Sequence, residues 1–247
     1  MSLSDPELAA ALAGRAGRLL SRFRTGHTDL PPPELGKAAD AHAESFLARA
    51  LACLRPDDGV LSEEATDDRV RPRRDRVWIV DPLDGTREYV AGRDANWAVH
   101  VALWEDGAGL TAAAVAIPDL GVVHSTEAPR PASTGSPVML VSAGRPPAFA
   151  APVAEALGLD LVGMGSAGAK AMAVVRGEAD VYLHAGGQWE WDSAAPAAVA
   201  MAAGLHASRI DGSPLRYNKP DPYQPDLLIC RPELAERVLG SITSCRA

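Results

Sequence analysis

Asp81 and Asp84 stand three residues apart in WIVDPLDGTREY, the stretch from Trp78 to Tyr89. Apolar residues lead into them, and the spacing predicts a strand over Arg76–Val80. A strand without polar alternation is buried on both faces. Pro82 is expected to stop its ladder and Asp84-Gly85 to turn the chain, so that both carboxylates aim at one point. Neighbouring carboxylates repel each other, and each is costly to desolvate unpaired. A bound Mg²⁺ removes that cost, because it takes oxygen ligands at about 2.0–2.1 Å from a few carboxylates, waters and substrate phosphate. The carbonyl of Leu83, between the acids, offers one more oxygen. Taken alone, DPLDG is explained as well by an ordinary acidic turn as by a metal cradle.

Other acids sit in similar settings. Ser62-Glu63-Glu64 follows the short apolar pair Val60-Leu61, and Trp191-Asp192 opens an Ala-rich segment after Gly186-Gly187. Glu63 and Glu64 also read as surface acids, and Asp192 as a helix cap. Each bland reading stands singly, but the combination favours a metal site. Gly85 lets backbone N–H groups approach an anion, and a helical turn beginning there points its positive end at a phosphate. The Thr86 hydroxyl orients a water, caps that turn, or does both. Alternative nucleophiles are missing from the sequence: it has no GxSxG elbow or Walker loop. Its six histidines lack zinc-ligand spacing, and His100 and His184 read as packed or outer residues.

The elements that must position these groups follow from caps and periodicity. Ser4-Asp5-Pro6-Glu7 is a capping box opening a helix to about residue 24. Thr25–Pro33, with Gly26 and three consecutive prolines, reads as a lid-like loop, followed by a helix over Lys37–Leu54. Strands are expected at 60–61, 76–80, 97–104, 110–117, 122–125, 138–142, 179–183 and 227–230. Helices are expected near 148–157, 167–176, 193–203 and 232–242. The Pro-, Ser- and Thr-rich stretch Glu127–Pro137 is the expected lobe boundary, giving an α+β lobe over 1–132 with the metal cradle and an α/β lobe over 133–247 with Asp192.

A net charge of −8 over 247 residues leaves no basic stripe for nucleic acid. An acidic protein handling an anionic ester needs local positive charge, and a metal ion supplies it. The three cysteines lack CxxC spacing, and no signal peptide or membrane-spanning run is evident, so a cytoplasmic protein without membrane partners is expected.

DPLDGT at 81–86, Glu63-Glu64 and WDSAA at 191–195 together resemble the inositol-monophosphatase-like superfamily, Mg²⁺-dependent, lithium-inhibited phosphomonoesterases. The likeness continues through GSAGAK at 165–170 and GEADVY at 177–182. LSEE at 61–64, REY at 87–89, QWEWD at 188–192 and PLRYN at 214–218 are closest to the bacterial 3′(2′),5′-bisphosphate nucleotidases, which act on 3′-phosphoadenosine 5′-phosphate in sulfate assimilation. The resemblance implies a two-lobed, layered αβαβα sandwich of the sugar-phosphatase type. It implies that Glu63, Asp81, the Leu83 carbonyl, Asp84 and Asp192 hold two or three Mg²⁺, with Asp84 and Asp192 also facing substrate. Gly85 and Thr86 would take the scissile phosphate, and Asp40, Thr86 and Glu63 would form the catalytic set acting on the attacking water. Ser166 and Lys170 would line the nucleotide side, with Tyr182 and Tyr217 near base or ribose. Lys170 also reads as a surface lysine, and both tyrosines as packing residues. Lys37 departs from the family, which often has Thr there. The substrate expected is a small phosphate ester, 3′-phosphoadenosine 5′-phosphate first, with inositol 1-phosphate or fructose 1,6-bisphosphate as alternatives. A non-catalytic phosphometabolite sensor is the alternative of another class, and a homodimer is expected from the family alone.

Overall fold

The computed structural model describes residues 3–65, 70–128 and 136–246. The expected boundary at 132/133 lies outside the described residues. Helix α1 (Asp5–Gly26) opens on the expected capping box, with Ser4 N–H donating to Glu7 Oε2 at 2.7 Å. Helix α2 (Pro32–Leu54) starts inside the proline run, which was expected to be loop. The first helical turn needs no internal N–H donors, so Pro32 and Pro33 fit there without loss. The connection between the helices is therefore much shorter than Thr25–Pro33.

Strands β1 (Gly59–Ser62), β2 (Arg76–Asp84), β3 (Ala98–Glu105), β4 (Gly109–Ile117) and β5 (Val122–Ser125) form a sheet in chain order, parallel only between β1 and β2. Helix α3 (Thr86–Val90) follows β2 directly. The second sheet runs β7-β6-β8-β10-β9, built from β6 (Val138–Ser142), β7 (Asp160–Met164), β8 (Val181–Trp189), β9 (His206–Ser208) and β10 (Tyr223–Cys230). Its helices are α4 (Ala150–Leu157), α5 (Ala167–Arg176), α6 (Glu190–Ala202) and α7 (Ala235–Arg246). Strands β7 and β9 were not foreseen. The first carries Asp160 and Gly163 and is largely exposed, and the second is three residues long, so neither shows a buried-strand pattern.

Side-chain alternation along β2 sorts the layers. Trp78 and Val80 face the core shared with α1 and α2, whereas Val77 and Ile79 face the core shared with α5 and α6. Leu140, Tyr182, Leu227 and Ile229 of the second sheet close that central core from the other side. Met139, Val141, Leu183 and Leu228 point away, onto α4 and α7. The result is the layered αβαβα sandwich. Burying one Val, Leu or Ile side chain contributes about 1.5–3 kcal/mol, and each layer buries many. The middle layer is rich in alanine, with Ala169, Ala171, Ala194 and Ala195 all buried, so two helices fit between two sheets.

Candidate functional site

Strand β2 does not stop at Pro82 but continues through Asp84. Its pairing with β3 skips between Asp81↔His100 and Asp84↔Ala98. Pro82 sits in that irregularity, where no ladder N–H is required. The Leu83 N–H donates to Asp81 Oδ1 at 3.0 Å, and the Thr86 hydroxyl donates to the Leu83 carbonyl at 3.1 Å. Gly85 turns the chain at φ +85°, and a Cβ there would lie 2.7 Å from the Asn96 carbonyl oxygen. Only glycine meets both conditions.

Asp192 enters from α6, in the middle layer of the sandwich. Helix α6 begins at Glu190, three residues earlier than expected, so Asp192 lies in its first turn and accepts the Trp189 N–H at 2.6 Å. The cap uses Oδ2, and the same carboxylate still borders Asp81 and Asp84. Oxygens of Asp81, Asp84 and Asp192 all lie within 4.8 Å of one another. Glu63 is exposed and lines the same cleft without belonging to that close set. The Glu64 side chain, also exposed, does not line the cleft.

Asp84 is held on three sides. Ser166 Oγ donates to its Oδ2 at 2.5 Å, the Gly168 N–H at 2.7 Å, and His100 Nε2 lies 3.2 Å away. The other ring nitrogen of His100 faces the Trp191 carbonyl at 3.0 Å, so the wholly buried imidazole ties the two acid-bearing elements together. Burial alone would lower the His100 pKa, but the Asp84 charge outweighs it and holds the ring above its ordinary value. The same contacts outweigh burial at Asp84 and keep its carboxyl well below the usual carboxylate range. The reading of His100 as a packed residue is consistent with its burial, but its link to Asp84 had no signal in the sequence.

The remaining acids crowd one another. Asp81, with 1% exposure, is pushed up by burial and then by Asp84, Glu63 and Asp192. Asp192 rises to about 6 through burial and the Asp84 charge. Glu63 rises to about 7 through desolvation, then Asp192 and Asp84. Asp40, on α2, is pushed up to about 8 by burial and by Glu64, Glu63 and Glu44, and its Oδ1 is buried without a hydrogen-bond partner. Clustered carboxylates, an orphaned acid oxygen and a nearby backbone carbonyl form an all-oxygen donor set. They fit a hard divalent cation, which removes the repulsion the acids otherwise suffer.

The acids open onto a polar cleft of about 440 Å³. Lys170 lines it but is 4% exposed; its ammonium donates to the carbonyls of Gly165 at 3.0 Å and Ser166 at 2.5 Å. Burial pulls its pKa down to about 8. It is a buried lysine, not a surface one. Tyr182 lies beneath it, with the ammonium 5.0 Å from the ring centroid. Tyr217 does not reach this cleft: it lines a separate one with Trp104 and Leu110, and its hydroxyl donates to Ser193 Oγ at 3.3 Å. Arg145, His184, Trp189 and Tyr223 also line the acidic cleft and were not singled out from the sequence as substrate groups.

The inositol monophosphatase family model matches residues 7–246. A Mycobacterium leprae protein named 3′-phosphoadenosine 5′-phosphate phosphatase is 52% identical, covering 97% of this chain and 94% of its own length. A Mycobacterium tuberculosis protein of the same name is 55% identical, covering 92% of this chain and 89% of its own length. The solved structure of Mycobacterium tuberculosis SuhB superposes with a TM-score of 0.74 at 24% identity, over 97% of this chain and 96% of that one, which supports the fold alone. Motif, layered fold and near full-length similarity agree, and the chain belongs to the inositol monophosphatase family.

Proposed function

We propose that this chain hydrolyses 3′-phosphoadenosine 5′-phosphate to AMP and phosphate, with two or three Mg²⁺ held by Glu63, Asp81, Asp84, Asp192 and the Leu83 carbonyl. The observation that carries the chemistry is the convergence of three carboxylates within 4.8 Å beside a polar cleft. The substrate rests on the two mycobacterial relatives that bear that name. Mg²⁺, when bound, supplies Lewis acidity at the phosphoryl group and lowers the pKa of water.

The residues of the chain do the rest. The single hydroxyl proton of Thr86 is committed to the Leu83 carbonyl, so Oγ1 is left as an acceptor that orients the attacking water. Asp40 takes the proton of that water at its unpartnered Oδ1. Gly85 and Thr86 receive the scissile phosphate. Ser166 and His100 keep Asp84 ionised and fixed in direction. Lys170 brings positive charge to the substrate side from a buried, hydrogen-bonded position. The same reading carries inhibition by Li⁺, a role in sulfate assimilation and a homodimer, which rest on the family resemblance, and a cytoplasmic location, which rests on the sequence patterns given above.

Phosphate release from 3′-phosphoadenosine 5′-phosphate, inositol 1-phosphate and fructose 1,6-bisphosphate, each with Mg²⁺, with chelator and with Li⁺, tests the proposal. The expected result is a kcat/KM preference for the nucleotide that is lost with chelator and suppressed by Li⁺. Preference for a sugar phosphate overturns the substrate and keeps the chemistry. Binding without release from any of them overturns the enzyme in favour of a sensor.

A further inference from the structure

Resting on the nucleotide reading above, we infer that Trp189 and Tyr223 form the wall on which the base stacks, and that Arg145 receives the second phosphate of the substrate. All three line the cleft that holds Asp84 and Asp192, and the metal site uses none of their side chains. Trp189 and Tyr223 are 44% and 43% exposed, so their faces are open to a ligand.

Both rings are held in place. Trp189 and Tyr223 are direct cross-strand partners of β8 and β10, with their rings edge to face at 5.9 Å and 82°. Trp191 stacks on Trp189 at 5.5 Å and 18°, backing it from one side. The ring of Tyr223 lies over Gly187, where a Cβ would stand 2.6 Å from the Tyr223 hydroxyl oxygen. Gly187 also has φ +90°, so the strand gives up a side chain where the tyrosine needs room. Rigid exposed aromatic faces lose little freedom on binding, and every nucleobase has a flat face to offer them.

Arg145 supplies the second element. It follows β6 on an exposed turn whose backbone N–H donates to Ser142 Oγ at 3.2 Å. Among the described residues its guanidinium makes no ion pair, although the cleft it borders is acidic. An arginine left free beside a site for phosphate esters is suited to a phosphate by its planar fork of donors. The base contact expected at Tyr217 is thereby reassigned, since Tyr217 borders the other cleft. Tyr182 lines the acidic cleft, as expected, but is 1% exposed and lies under the Lys170 ammonium, so Trp189 and Tyr223 offer the more open faces.

The test is kcat/KM of the Mg²⁺-loaded wild type and the variants W189A, W189F, Y223A and R145A on three substrates. These are 3′-phosphoadenosine 5′-phosphate, 3′-AMP (no 5′-phosphate) and inositol 1-phosphate (no base). W189A is expected to cut the preference for either nucleotide over inositol 1-phosphate about 10- to 100-fold, mainly through KM, with Y223A weaker and W189F near wild type. R145A is expected to cut the preference for the bisphosphate over 3′-AMP by about 10-fold or more. Equal losses on all three substrates mean a merely structural role and overturn the inference. Unchanged preferences in variants of a wild type that does prefer nucleotides overturn it while leaving the proposed function standing. A wild type that turns over inositol 1-phosphate but neither nucleotide overturns both.

Discussion

Gly168→Ala puts one methyl group where the structure has none to spare. A Cβ at this position would stand 2.1 Å from His100 Nε2 and 3.0 Å from the Ala98 Cβ. His100 is fully buried, with one nitrogen against the Trp191 carbonyl and the other 3.2 Å from Asp84. The ring cannot yield without leaving at least one of these partners. Overpacking costs about 1–3 kcal/mol, and losing the hydrogen bond to the Trp191 carbonyl or the close contact with Asp84 about 0.5–3 kcal/mol. Part of the second cost is recovered by relaxation, so about 2–4 kcal/mol is expected. For a chain of this size that is about 5–15 °C in Tm. The measurement is urea unfolding of four proteins in chelator: wild type, Gly168→Ala, His100→Ala and the double variant. Removing the imidazole opens the space the methyl needs, so Gly168→Ala should cost no more than about 1 kcal/mol in the His100→Ala background. A penalty as large there as in the wild type refutes the clash with His100 as its cause. Phosphate release by Gly168→Ala should fall at least about 10-fold, because Asp84 loses its fixed direction.

Three further outcomes follow from the charges. Asp81→Asn should lower metal-dependent turnover by about 10³-fold or more yet raise Tm in chelator, since it removes a buried acid whose ionisation is opposed by burial, Asp84, Glu63 and Asp192 while an amide oxygen still accepts the Leu83 N–H; an unchanged or lower Tm in chelator refutes the repulsion. Burial holds Lys170 at about 8 against an ordinary value of about 10.5, so between these pH values the unfolded chain carries a proton the folded one lacks. Stability in chelator should therefore rise by about 3 kcal/mol from pH 8 to 10.5 at this site, and Lys170→Met should abolish that part of the rise in pH-dependent urea unfolding. At Asp5 burial opposes ionisation, but hydrogen bonds from Arg76 and Arg55 outweigh it and hold the carboxyl below its usual value. Its stabilisation is then present at neutral pH and lost as pH falls through the depressed value, so Asp5→Asn should cost about 1 kcal/mol at pH 7 and progressively less as pH falls below the usual carboxylate range, read by urea midpoints.

Much of the fold follows from contiguous residues. The capping box at Ser4–Glu7, the apolar run into Asp81, and strands β5 and β6 are matters of caps, turns and side-chain period, which act within a few residues. The misread prolines at 31–33 mark the limit of that reasoning: proline ends a helix in its interior and suits one at its first turn, and composition alone does not say which applies. The Asp81–Asp84 pair, Glu63 and Asp192 were legible as acids beside strand and helix ends. The motif that groups them belongs to the chain itself.

What holds those acids was decided by tertiary structure. Gly168 donates to Asp84 across 84 positions of sequence, and His100 links Asp84 to the Trp191 carbonyl from a third element. Trp189 and Tyr223 meet because β8 and β10 pair in one register, and Lys170 is buried because α5 is sandwiched between two sheets. Local sequence sets which backbone conformations and which chemical groups are available. The desolvation, direction and spacing of those groups come from residues distant in the chain, and only packing brings them together. The sequence by itself thus determined the chemistry on offer, while the meeting of the layers decided which groups are charged, which are fixed, and which face a substrate.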